Sequence, residues 1–496
     1  MSLPCLPRAL RGALALGLAV VLAAHVGSPD VFRSGKAGPY AVDVVVRPPQ
    51  VVPGIAEILV RVSDPGVTRV TVRPVYWRAG SKGAPSADEA KPVKGSPGSY
   101  GGQLWLMAGG SYSVHVTVSG AAGQGTLVVP VAAVATGQLG LSTGLKWLLI
   151  GLGSLLVAGV ITAVYAAVGE SQVPPGEPVP ASRQRRARIG AAIATPLMAL
   201  LILGGAKWWQ AEARAYSRTL YKPMRTESSV RDSAGVPLLV LRIVDTSWTD
   251  RRVSPLMPDH GKMAHLFLAR IDTAGVLAHL HPRLVDDATL VGALPPLPAG
   301  RYRLYADVVH ETGFERTFVD SIVLAEPPSP VGVGVLDPDD AWFEGPMAAL
   351  PSRGDVQLGD VIVSWAGDRR PTAGQTGVLR FTLRGAMGEP VRVEPYLGMP
   401  GHAVVMRQDG GVYIHLHPSG TSAMASEVAF ALRDRGDTTA DGRLRLAGTG
   451  MPMATEQTLA EIRFPYAFPS AGRYRVWVQL RVRGTVRTAG WDVDVR

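Results

Sequence analysis

Cysteine is almost absent from this chain. The single Cys5 lies near the start of the sequence, where Arg8 and Arg11 precede an apolar run over residues 13–24 that ends in small residues. That order is the n-region and h-region of a secretory leader, expected over residues 1–28. An exported remainder would hold no disulfide and no thiolate ligand, so any metal site must be built from His, Met, Asp or Glu. Enzyme signatures are lacking too: there is no phosphate-binding loop, no dinucleotide-binding glycine motif and no Ser-His-Asp signature. Lys and Arg exceed Asp and Glu, giving a net charge of +10, but the basic residues are dispersed and no nucleic-acid motif accompanies them. This excess reads as a solvated basic surface, and nucleic acid is not an expected partner.

Glycine and proline are plentiful, at 57 and 40 of 496 residues, with short Val-rich runs between them. Frequent turns between short strands predict a mainly β chain. Two stretches break the pattern, residues 147–168 and 190–209, each apolar and long enough to cross a bilayer. Trp147, Trp208 and Trp209 mark the interfaces. Between them, residues 169–189 read as a loop containing Arg183, Arg185, Arg186 and Arg188, which the positive-inside rule assigns to the cytoplasm. Both flanking portions are then expected on the extracytoplasmic side of the cytoplasmic membrane.

Those portions repeat. An early strand is expected at residues 58–62, 240–244 and 379–383. A late strand opens with small residues and a tyrosine at Ala108 to Tyr112, Ala299 to Tyr302 and Ala471 to Tyr474. Each unit predicts an antiparallel β-sandwich of immunoglobulin-like kind. The expected spans are residues 38–134, 222–328 and 353–496, with the membrane hairpin between the first and second.

The tetrapeptide His-Leu-His-Pro occurs twice, at His279–Pro282 and His415–Pro418, each preceded by another histidine, His265 or His402. Histidines two apart on a strand point to one face. A two-residue turn at Asp409-Gly410 pairs Met406 with Tyr413, Val404 with His415 and His402 with His417. A three-residue loop at residues 272–274 pairs Phe267 with His279 and His265 with His281. Both hairpins thus gather three imidazoles on one face and leave the other apolar. Directly opposed residues lie roughly 5 Å apart at Cβ, close enough for one ion to be shared. The expected metal ligands are His265, His279, His281, His402, His415 and His417. Met406 shares the histidine face, and Met263 and His260 are further candidates. His310 lacks a counterpart in the third unit, and His115 reads as structural.

Seven of the thirteen methionines fall in or near these segments. Thioether with imidazole favours copper, Cu(I) or Cu(II), with zinc second. The combination of leader, β-sandwich units and His/Met-bearing strands resembles the YtkA-like and CopC-like group of bacterial extracytoplasmic copper-associated domains. That resemblance implies copper binding, delivery or tolerance, with the His-Leu-His-Pro segments, His265 and His402 as ligands. The leading expectation is a membrane-anchored protein that holds copper on surface-facing ligands, for homeostasis or for handover to a copper-accepting or copper-exporting membrane protein. Two alternatives stand beside it. One is a three-histidine zinc enzyme, with Thr421 and Asp409 as nearby polar groups. The other is an interaction scaffold stiffened by hydrogen-bonded histidines.

Overall fold

The computed structural model describes residues 25–26, 30–174, 176–249, 254–271, 275–328, 336–350, 352, 354–439, 443–446 and 457–496. The chain divides into two compact units, Met1–Ala133 with Lys222–Arg496, and Val134–Tyr221.

The smaller unit is a helical hairpin of α1 (Thr143–Glu170) and α2 (Ala181–Thr219). Both helices are long and apolar enough to cross a membrane. They exceed the expected spans at both ends. The arginines at 183, 185, 186 and 188, expected in a loop, lie in the first turns of α2. Arginine is a good helix former, and Pro180 at the N-cap sets the boundary just before the cluster. Pro196 is carried inside the same helix.

The larger unit is built of mainly antiparallel sheets. Residues 30–133 form a five-stranded and a four-stranded sheet; residues 226–293 form another four-stranded sheet. A six-stranded sheet contains β1 (His265–Arg270), β2 (Val276–Leu280), β3 (Gly300–His310) and β4 (Ala341–Glu344). A second six-stranded sheet contains β5 (His402–Arg407), β6 (Val412–Leu416) and β7 (Gly472–Val482). In the first, β1 lies between β2 and β3; in the second, β5 lies between β6 and β7. The two sheets therefore repeat one arrangement, a histidine hairpin with the late strand beside its first arm. Residues 1–24, 27 and 28 of the expected leader lie outside the described residues. His25–Val26 pair in parallel with Val412 and Tyr413, on the open edge of β6.

The late strands share a detail that explains their sequence repeat. Each opens on a glycine at positive φ, Gly110 (131°), Gly300 (151°) and Gly472 (141°). Two residues on, the Tyr302 hydroxyl donates to Pro298 O at 2.7 Å and the Tyr474 hydroxyl to Ser470 O at 2.8 Å, while the Tyr112 hydroxyl accepts from Ala108 N at 3.1 Å. Such tyrosine-to-upstream-backbone bonds are a feature of immunoglobulin-like sandwiches.

Alternation along the hairpins sorts the side chains as expected. Leu266, Leu268, Val276, Ala278 and Leu280 join one core; Ala403, Val405, Val412, Ile414 and Leu416 join another. The opposite faces pack against each other through Phe267, Ala269, Leu277, Tyr305, Val404, Met406, Tyr413 and Trp477. The rings of Tyr305 and Tyr413 stack at 4.0 Å. Burying a large apolar side chain is worth about 1.5–3 kcal/mol, so this cluster supplies a driving force for closure that does not depend on the histidines.

Candidate metal centre

Both hairpins adopt the expected register. Phe267 pairs with His279 and Ala269 with Leu277; Val404 pairs with His415 and Met406 with Tyr413. The loop at residues 272–274 lies outside the described residues. The turn at Asp409-Gly410 differs from the type I′ form usual for two-residue hairpins, in which both central residues take a positive φ. Only Gly410 takes a positive φ (75°), and its N–H donates to Arg407 O at 2.7 Å. Asp409 Oδ1 accepts from Gly411 N and Arg407 Nε, both at 2.8 Å, and this local bonding tightens the bend without moving the ladder.

The six histidines project together, but not toward solvent. Their exposures run from 0% for His279 and His402 to 8% for His415. The expectation of surface-facing ligands is therefore corrected: the histidine face of each hairpin is covered by the other half. The reason is the apolar lower part of the same face, where Phe267 and Leu277 meet Val404, Met406 and Tyr413.

Two triads result, His265/His279/His281 and His402/His415/His417, and in each the potential ligand atoms lie within 4.8 Å of one another. In five of the six rings hydrogen bonds fix which nitrogen carries the proton. His265 Nε2–H donates to Asp259 O at 3.3 Å, leaving Nδ1 bare. His279 Nδ1 faces Gln479 Oε1 at 2.9 Å and the Tyr396 hydroxyl oxygen at 3.1 Å. That hydroxyl gives its only hydrogen to Asp339 O at 3.0 Å, and Gln479 Nε2–H is directed to Thr488 Oγ1. His279 Nδ1 thus meets two acceptors and must donate, which leaves Nε2 bare. The two bare nitrogens, His265 Nδ1 and His279 Nε2, face each other at 3.1 Å. His281 Nδ1–H donates to Asp340 Oδ1 at 2.9 Å, and its Nε2 is buried without a partner.

The second triad uses the same atoms. His402 Nε2–H donates to Tyr396 O at 3.0 Å, and its Nδ1 faces His415 Nε2 at 3.0 Å. His417 Nδ1–H donates to Ser422 O at 3.1 Å, and its Nε2 is again buried and unpartnered. The first triad therefore presents one bare Nδ1 and two bare Nε2; in the second, the bare His402 Nδ1 and His417 Nε2 stand beside His415 Nε2. Nitrogens bound at about 2.0–2.1 Å to a tetrahedral ion lie about 3.4 Å apart, close to the spacing here. Metal-binding histidines commonly pass their other N–H to a carbonyl or carboxylate, as five of these six do to a backbone carbonyl, a carboxylate or an amide oxygen.

Burial first, and the surrounding imidazoles second, hold His265, His279, His402 and His415 well below the ordinary histidine range and bring His417 to about 4. These five rings are neutral at pH 7, the form that ligates. Asp307, whose Oδ2 lies 3.8 Å from His415 Nδ1, is pushed up to about 6 by burial, against hydrogen bonds from Thr317 and Tyr413.

The remaining candidates separate. His260 joins the cluster at φ 51°, with its ring 5.6 Å from His402 and 5.4 Å from His417, and its Nε2 buried without a partner. Met406 shares the histidine face but sits in the apolar cluster, among Phe267, Tyr305 and Trp477. Met263 packs against the core behind β1. His310 is outside the cluster, with Nδ1–H donating to Ser254 O at 2.6 Å. His115 bonds Ser113 Oγ at 3.1 Å. Thr421 and Asp409 are engaged elsewhere, Thr421 Oγ1 accepting from Phe32 N.

Sequence reasoning missed Asp340, Gln479, Tyr396 and Asp259. Gln479 left a signal, as the one uncharged polar residue in the middle of β7, and it lies directly opposite His402. Asp259 Oδ1 also accepts from Ala425 N at 2.8 Å, tying the start of α3 (Met424–Arg435) to the cluster.

Residues 356–496 match a family model described as a domain of unknown function, DUF8832. No curated protein matches the chain. Among solved structures, Salmonella alpha-2-macroglobulin reacted with methylamine aligns over 96% of this chain and 24% of its own, at 10% identity and a TM-score of 0.20. Latent PorU from Porphyromonas gingivalis aligns over 94% and 34%, at 8% identity and a TM-score of 0.14. The ICAM-5 D1-D4 ectodomain aligns over 92% and 77%, at 11% identity and a TM-score of 0.15. The chain thus spans about a third or less of the first two proteins' lengths, and likeness at these scores carries no argument about fold or function.

Proposed function

We propose that this chain is a membrane-anchored metal protein whose two histidine triads each hold one ion, copper in preference to zinc. The observation that carries the reading is the pair of bare imidazole nitrogens 3.1 Å apart at His265 and His279, with the partnerless Nε2 of His281 beside them. Facing lone pairs without a proton between them repel in a buried site, and a cation removes that cost. A hydrogen-bonded histidine scaffold would have no such vacancy of protons, so the metal reading is favoured over it.

Copper is supported by donor chemistry: three neutral nitrogens suit Cu(I), and Cu(II) stands highest among divalent ions for such a set. Thioether does not enter the choice, since Met263 lies in a core and Met406 among aromatic side chains. In this reading the β region comprises three immunoglobulin-like sandwiches on the extracytoplasmic side of the cytoplasmic membrane, anchored by α1 and α2. The arginines at the start of α2 support that orientation. Near-complete burial of the rings favours a resident ion over one passed freely between proteins, so handover to a partner would require the two hairpin faces to part. The resemblance to copper-associated sandwich domains adds to this reading on residue type.

The test is a chelator-competition titration of the full chain in detergent with Cu(I), Cu(II) and Zn(II). Two tight sites per chain, with copper preferred, support the proposal; no binding while the fold is intact overturns it.

A further inference from the structure

Resting on the metal reading, we propose that the two triads form a single dinuclear copper unit that delivers two electrons to dioxygen. Three observations carry it.

The first is proximity. Within the triads, ring centroids are 4.5–5.4 Å apart in one and 4.7–5.2 Å in the other. Across the boundary, His265 and His415 are 5.4 Å apart and His279 and His415 5.6 Å. The six rings are one continuous cluster, and ions held by it lie within range of electronic coupling through imidazole or a small bridging species.

The second is the seventh imidazole. His260 stands in the left-handed region at φ 51°, where only a few per cent of non-glycine residues lie. It places its ring against three histidines of the two triads, 6.0 Å from His265, 5.6 Å from His402 and 5.4 Å from His417, with a buried, unpartnered Nε2. An imidazole shared by both halves and committed to neither is placed to meet what binds between two ions.

The third is charge. Three carboxylates surround the cluster: Asp340 on His281, Asp307 at 3.8 Å from His415, and Asp259 at 3.9 Å from His265 and 3.8 Å from His260. Carboxyl groups on three sides of the cluster are placed to offset the charge that two cations bring, which suits a pair that changes by two electrons.

The step balances as two Cu(I), one dioxygen and two protons giving two Cu(II) and one hydrogen peroxide. The protons come from solvent, and one electron leaves each ion. A closed, almost fully buried centre selects a small neutral oxidant.

The experiment uses the full chain in detergent, loaded anaerobically with two equivalents of Cu(I) and then exposed to air. Copper content, peroxide released, the copper X-ray absorption edge and the electron-spin integral are measured. The expected result is two coppers per chain, one peroxide per pair, a Cu(II) edge, and a spin integral near zero because the ions are coupled. The His417→Ala variant, checked for fold by circular dichroism, is expected to bind one copper that shows its full spin after oxidation. Should His417→Ala not fold, His281→Ala serves the same purpose in the other triad. Two bound coppers with one spin each, or two that stay Cu(I) in air, overturn the dinuclear proposal and leave the metal reading standing. No bound copper overturns the metal reading itself.

Discussion

Asp340 gives the sharpest single perturbation. Its Oδ1 accepts from the His281 backbone N–H at 2.8 Å and from His281 Nδ1–H at 2.9 Å, so one oxygen fixes both the strand end and the tautomer that leaves Nε2 bare. Replacing Asp340 by Asn keeps an oxygen acceptor for the backbone but removes the charge that makes His281 a stronger donor to metal. Losing such an outer partner costs 10- to 100-fold in affinity, about 1.4–2.7 kcal/mol. Replacing it by Ala also strands the backbone N–H and adds a stability loss of about 1–3 kcal/mol. In a chelator-competition titration, Asp340→Asn is expected to weaken one of two sites by that factor and leave the His402/His415/His417 site unchanged. Asp340→Ala is expected to weaken the same site and to lower the unfolding midpoint. Unchanged affinity at both sites in Asp340→Asn, with the fold intact, would refute the reasoning that His281 ligates through Nε2.

Other outcomes follow from the same geometry. Burial brings His417 to about 4 in the fold, against about 6.5 unfolded. Because the folded value is the lower one, stability is full above pH 6.5 and is lost as pH falls toward 4, by about 3 kcal/mol for this ring at 1.36 kcal/mol per unit. Buried Glu315 and Glu427, raised to about 7, act in the opposite sense, so the comparison is made between metal-free wild type and His417→Gln. The variant's thermal midpoint should fall less steeply between pH 6.5 and 4; parallel curves would contradict the assignment. Tyr305→Phe removes a buried hydroxyl that has no partner and should be neutral or stabilising by up to about 1 kcal/mol in urea unfolding. Tyr413→Phe, whose hydroxyl donates to Asp307 at 3.0 Å, should lose about 1–2 kcal/mol in the same assay. Gly275→Ala should cost more than about 2 kcal/mol and reduce metal binding with it, since Gly275 has φ 90° and an added Cβ would stand 1.9 Å from Gly345 O.

Much of the site was legible because strand alternation is a local rule. Once the turns are located, the register follows, and with it the shared face of His402, Val404, Met406, Tyr413, His415 and His417. What the face meets is not local. Gln479 is 200 residues from His279, and Asp259 is 166 from Ala425, so no spacing in the sequence announces either partnership. The same limit misled the reading of exposure. An apolar face already assigned to a core left the histidine face apparently free, whereas Phe267, Tyr305, Tyr413 and Trp477 close it against its counterpart. Methionine content pointed to copper by composition, but Met263 and Met406 fill apolar space. The helical hairpin was legible from hydropathy. Its limits were not, because Arg183 to Arg188 continue a helix as readily as they form a loop.

The central claim is that six buried imidazoles turn ring nitrogens toward metal. Elemental analysis of the full chain, purified from membranes without added metal or chelator, tests it most directly when paired with the His279→Ala/His415→Ala double variant. Two copper ions per wild-type chain, and none in a folded double variant, are the predicted result. A folded wild-type chain that carries no transition metal and takes up none on dialysis against copper or zinc would contradict it.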